Sequence, residues 1–154
     1  MFFNEDGTIK KVIPTLRGVG LTNASKEIQI DRYSLISNGG ASVAFLDTLK
    51  KFDGWKTILD TANAWVQYNS VDFGSNKLKT VNVRASSITG GTLQLHLNKT
   101  DGPLIADIEI TKDSNWNIVK SALKEIPSGI YNLVLLIKDN NPPRSIEIDW
   151  VSFE

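Results

Sequence analysis

Apolar residues in the second half of this chain recur at every other position, in short runs broken by turn residues. Leu93, Leu95 and Leu97 alternate with Gln94, His96 and Asn98; Val81 and Val83 alternate with Asn82 and Arg84; Ile146 and Ile148 lead to Trp150. Successive side chains of a strand point to opposite faces, so this period of two predicts strands buried on one side. Trp65, Val66, Tyr68, Val71 and Phe73 form another run, closed by Gly74-Ser-Asn76. The stretch from Ile130 to Ile137 is almost wholly apolar, as in a central strand covered on both faces. Thr100-Asp-Gly-Pro103 and Asp139-Asn-Asn-Pro-Pro143 carry turn chemistry. Roughly nine to eleven short strands at spacings of about 8–12 residues, without a long helix or a repeat, predict an all-β sandwich or jelly roll.

The first half is less regular. Residues 1–25, with Asn4-Glu-Asp-Gly7, Ile13-Pro14 and Gly18-Val-Gly20, suit a linker or wrapping arm, leaving 26–154 as the sandwich. Ile28-Gln-Ile-Asp-Arg-Tyr33 alternates as a half-buried strand and ends at Asn38-Gly-Gly40, and Val43-Ala-Phe-Leu46 is a short apolar run. From Leu49 to Asn63, Phe52, Trp55, Ile58 and Leu59 stand at near-helical spacing, which fits either a helical turn or a long loop.

The composition removes whole classes of chemistry. A chain of 154 residues is one domain's worth. Its 17 basic and 17 acidic residues cancel and are scattered, so neither nucleic acid nor an anionic membrane is an expected partner. No apolar run is long enough to span a bilayer. No charged-then-apolar leader opens the chain, so an exported, periplasmic or cell-surface address puts the signal outside these residues. Cysteine is absent, and a single histidine cannot complete a triad with a conventional base or a His-rich metal centre. Glycoside hydrolysis needs only two carboxylates, but no pattern gathers the Asp and Glu residues. The expected role is non-catalytic binding.

The four tryptophans point to the ligand. Trp116 sits in the polar loop Asp113-Ser-Asn-Trp-Asn117 and reads either as a buried anchor of that loop or as a stacking ring: an indole beside amides and carboxylates suits a sugar, the ring meeting the apolar face of a pyranose and the polar groups taking its hydroxyls. Trp55 reads as a lid aromatic or a pin for its loop, Trp65 as core edge or exposed platform, and Trp150 as core. His96 lies on the polar side of its strand, at a solvated rim or against a ligand. Gln29, Asp31 and Asp149 are outward members of the first and last strands. If those strands adjoin, their oxygens suit a hard cation such as Ca²⁺.

From about Glu27 to Glu154 the ordered motifs resemble the family 6 carbohydrate-binding modules, calcium-bearing β-sandwich jelly rolls of galactose-binding-domain-like form. The motifs are Ile28-Gln-Ile-Asp-Arg-Tyr33, Asn63-Ala-Trp-Val-Gln-Tyr68 followed by Val71-Asp-Phe-Gly74, Val83-Arg-Ala-Ser86, Gly90-Gly91, Ser114-Asn-Trp116 and Glu147-Ile-Asp-Trp-Val-Ser-Phe153. The opening segment is similar to the one that joins a family 43 glycoside hydrolase to such a module. The resemblance implies a module tethering a glycoside hydrolase in the same parent chain to plant arabinan, xylan or arabinogalactan. It places Trp116 and Phe45 as the two rings of a cleft, with Glu147 where the family has asparagine. Trp65 and His96 fall on a second, concave face, where His96 replaces a carboxylate. Gln29, Asp31 and Asp149 take the positions of a structural calcium. Residues 49–60 look like an insertion near the first cleft, which Trp55 reshapes or covers. The alternative is a structural accessory domain that packs on its catalytic partner and has lost sugar binding.

Overall fold

A computed structural model of the chain describes residues 3–9, 18–75, 77–138 and 144–154. Twelve strands follow in chain order: β1 Thr22–Asn23, β2 Ile28–Gln29, β3 Leu35–Ile36, β4 Ala41–Phe45, β5 Trp55–Leu59, β6 Trp65–Asp72, β7 Thr80–Ser87, β8 Gly91–Leu97, β9 Leu104–Ile110, β10 Asp113–Ala122, β11 Ile130–Ile137 and β12 Ile146–Phe153. One sheet runs β1-β6-β11-β8-β9, with β3 also on β6; the other runs β10-β7-β12-β5-β4, with β2 also on β12. All pairings are antiparallel except β1 with β6. The expected β-sandwich is the observed architecture.

The core forms where the alternating apolar residues of the two sheets meet. Leu93, Leu95 and Leu97 of β8, Leu133, Leu135 and Ile137 of β11, and Val81 and Val83 of β7 are buried between the sheets, with Ile146, Ile148, Val151 and Phe153 of β12. In β11, Val134 and Leu136 are buried on the opposite side as well, which is why that strand reads as continuously apolar.

Three local expectations change. The run Ile28–Tyr33 yields only a two-residue strand, because the chain turns after Gln29, where the Arg32 amide donates to the Gln29 carbonyl at 3.2 Å. The ambiguous stretch 49–63 contains a strand that neither reading of it expected. It holds a 3₁₀ turn, Lys51–Asp53, and then β5, which lies between β4 and β12. Its strand period was hidden because the buried positions are Thr57 and Leu59, and a threonine does not announce a core. Trp150 is not core but half-buried. Ile148 faces Ala85 whereas Trp150 faces Arg84, so a bulge at Asp149 inserts one residue and reverses the phase. Ile146 and Ile148 point inward, then Val151 and Phe153; Trp150 is left on the outer face.

Within residues 1–25, Asn4–Thr8 form a turn and β1 pairs with Val71–Asp72, burying Ala24. Ile13-Pro14, Asn76 and the loop 139–143 lie outside the described residues.

Candidate functional site

The outer surface of β4, β5, β12, β7 and β10 carries an open groove of about 430 Å³ lined by Phe45, Leu46, Asp47, Lys56, Arg84 and Trp116, among others. Phe45 ends β4 directly opposite Trp55 on β5, and their rings lie 4.1 Å apart, tilted by 30°. Trp55 therefore braces Phe45; it is not among the groove's lining residues.

Trp116 projects from a register break in β10 between Asp113 and Asn117. The Asp113 carboxylate closes that break. It accepts from the Asn115 backbone amide at 2.8 Å and from the side-chain amides of Asn115 and Asn117, both at 2.9 Å. These bonds favour the charged form and hold Asp113 below the usual carboxylate range, the Asn115 backbone amide contributing most. From β7, the Ser86 hydroxyl reaches the Ser114 carbonyl at 3.2 Å. The polar loop is thus a fixed mount for a half-buried indole.

Two cations lie against that indole: the Arg84 guanidinium 5.1 Å and the Lys56 ammonium 6.0 Å from the ring centroid. Each has a carboxylate. Lys56 pairs with Glu147 at 2.8 Å, and Arg84 with Asp149 at the β12 bulge. Glu147 is not among the groove's lining residues; it reaches the groove only through its ion pair with Lys56, which does line it. Sequence reasoning missed Arg84 and Lys56 as site residues. The outward position of Arg84 between Val83 and Ala85 was the available signal; Lys56 had none, its strand being unrecognised.

Trp65 and His96 belong to the other sheet. Trp65 is half-buried and opposite Leu136 at the start of β6. His96 is not at a solvated rim but buried, 9% exposed, with Nδ1 2.9 Å from the Gly102 carbonyl, to which it donates. Its Nε2 is buried without a hydrogen-bond partner among the described residues. The cause is the tight turn after β8. It folds so closely onto the strand that a Cβ on Gly102 would sit 2.0 Å from the Leu97 carbonyl oxygen.

Backbone pairing sets the positions expected to hold calcium near one another, while the Asp149 carboxylate itself pairs with Arg84. Gln29 is opposite Trp150, and the Ile30 amide donates to the Asp149 carbonyl at 3.1 Å. Burial pushes the Asp31 carboxyl above its ordinary value; Arg32 opposes that rise and Asp149 adds to it. Among the described residues no group of three or more His, Cys, Asp or Glu side chains is gathered.

A two-sheet sandwich with an aromatic-lined groove on one outer face has the architecture of the β-sandwich carbohydrate-binding modules. The profile of "Carbohydrate binding module (family 6)" matches residues 37–154, and the chain belongs to that family, whose modules are non-catalytic. An arabinoxylan arabinofuranohydrolase from Paenibacillus polymyxa is 20% identical over 97% of the chain, which spans about a quarter (24%) of that enzyme's length. A β-1,3-glucan-binding family 6 module from Bacillus halodurans superposes with a TM-score of 0.75 at 24% identity, covering 88% of this chain and 99% of that one. A family 43 arabinoxylan arabinofuranohydrolase from Bacillus subtilis, solved with cellotetraose, gives 0.75 at 16% identity over 99% of this chain and 32% of the enzyme.

Proposed function

We propose that the module binds plant cell-wall polysaccharide of the arabinan, xylan or arabinogalactan type and holds a glycoside hydrolase of the same parent chain on it, outside the cytoplasm. The observation that carries this reading is that Phe45 and Trp116 line one open groove together with Lys56, Arg84 and Asp47. Rings supply apolar contact to sugar C–H surfaces, and the charged groups take hydroxyls. The arabinoxylan-directed names of two relatives support the substrate type. Tethering raises the local concentration of the attached enzyme at its polymer, so modest affinity suffices. Affinity electrophoresis against arabinan, xylan, arabinogalactan and β-glucans tests it; free migration of folded protein through all of them overturns it.

The second reading, an accessory domain that packs on its catalytic partner, rests on the two cations already lying against Trp116. It predicts that the parent enzyme loses thermal stability on removal of the module while its substrate affinity stays constant.

Calcium at Gln29, Asp31 and Asp149 would clip β2 to β12 and take no part in chemistry. The raised Asp31 value means that the folded state holds its proton more tightly than the unfolded chain does. Stability linked to this group is therefore present in acid and lost as pH rises from about 3.8 through the raised folded value. A bound divalent cation offsets that loss. At neutral pH, Ca²⁺ is expected to raise the melting temperature over EDTA by several degrees, at about 2–4 °C per kcal/mol for a domain of this size. Asp31→Asn should abolish the calcium effect and melt no lower than wild type in EDTA. Identical melting of wild type in the two buffers rules the cation out.

A further inference from the structure

The groove has a neighbour. Asp31, Arg32, Val43 and Trp55 line a second, open pocket of about 260 Å³, and Trp55 is 43% exposed. Phe45 lines the groove and Trp55 lines this pocket, with the two rings stacked 4.1 Å apart. The wall between the two cavities is therefore a pair of aromatic rings at the edge of a sheet, where β4 has no further strand beyond it among the described residues.

We propose that this pocket is a second sugar subsite, taking a single neutral glycosyl branch while the main chain lies in the groove. The inference rests on the proposed glycan-binding role of the groove. Its volume falls below the roughly 300–1,000 Å³ of sites for drug-sized ligands and suits one monosaccharide unit rather than an oligomer. Trp55 and Val43 supply an apolar wall. The Asp31 carboxylate accepts hydroxyl hydrogen bonds, and the exposed Arg32 guanidinium donates them. One negative and one positive group leave the pocket without net charge, which favours a neutral sugar over a uronate. An unbranched chain running along the groove would not also enter a pocket behind its aromatic wall, so occupation of both selects a substituted polymer.

Because Asp31 is shared with the proposed cation site, the test is placed on Arg32 and Trp55. Affinities are measured calorimetrically for arabinoxylan against unsubstituted xylan, branched against debranched arabinan, and branched against linear β-1,3-glucan. Wild type is expected to prefer the branched member of at least one pair by about fivefold. Arg32→Ala, at an exposed side chain, and Trp55→Phe, which keeps a ring against Phe45, should each bring that ratio to within about twofold of unity. Trp116→Ala should weaken both members of the pair alike. A wild-type ratio near one in every pair, or a preference that survives both the Arg32 and Trp55 changes, overturns the branch subsite. Absence of binding to any of these glycans overturns the groove's role instead, a separate result.

Discussion

Trp116→Ala is expected to weaken polysaccharide binding by about 30-fold while leaving the fold intact. Losing the apolar contact of a large ring costs about 2 kcal/mol, and each 1.4 kcal/mol is a factor of ten in affinity. The indole is half-buried and its mount does not depend on it: Asp113, Asn115, Asn117 and Ser86 brace the backbone among themselves. Far-ultraviolet circular dichroism and the melting temperature should therefore stay near wild type, so that loss of retention reports on the ligand. Trp116→Phe should recover part of the affinity, since a smaller ring keeps some of the stacking surface. Undiminished retention by a folded Trp116→Ala protein would remove the groove from consideration.

Phe153→Ala should be the most damaging single truncation of stability described here. Phe153 is 1% exposed and meets Phe73 edge-on, with centroids 5.1 Å apart and an interplanar angle of 72°. Removing a fully buried phenyl ring costs about 3–5 kcal/mol through lost transfer energy and the cavity left behind. Domains are stable by only about 5–15 kcal/mol, so the variant would sit near the threshold of unfolding, melting roughly 6–20 °C lower at about 2–4 °C per kcal/mol. The backbone amide of Phe153 donates to the Ala24 carbonyl at 3.0 Å, a bond the truncation leaves in place, so the loss reports on the ring. Chemical denaturation of the two proteins measures the difference; a loss below about 1 kcal/mol would show that the site repacks.

Where one face of a strand is core and the other is wet, the sequence pattern reports the fold directly. This holds for Leu93–Leu97 and for Val81–Val83, whose apolar members are buried as their alternation requires. The pattern fails where side-chain chemistry and position part company. Thr57 is fully buried in β5 although its hydroxyl finds no partner among the described residues, so a core strand looked like a loop. His96 is polar yet enclosed, because a tight turn covers it. Trp150 obeys the alternation up to the residue before it, and a bulge then turns it outward. No one-dimensional period encodes an inserted residue.

The site was legible in part for the same reason. A tryptophan among Asp, Ser and Asn residues is conspicuous, and Trp116 does line the groove beside Phe45. The partition of the candidates between two outer faces depends on which strands neighbour each other. Phe45 of β4 and Lys56 of β5 line the groove beside β12 only because β5 joins β4 to β12, so a strand that went unrecognised also concealed how the groove is assembled.

The position of β12 also has a bearing on how the molecule is made. It is made after the other eleven described strands, yet it occupies the middle of its sheet, with β7 on one side and β5 on the other. As the polypeptide emerges vectorially from the ribosome, the β4–β5 hairpin and the β7–β10 pair have no means of joining until residues 146–153 arrive between them. Half of the sandwich thus waits as two open-edged fragments, a state in which nascent β-proteins are exposed to mispairing and to capture by chaperones.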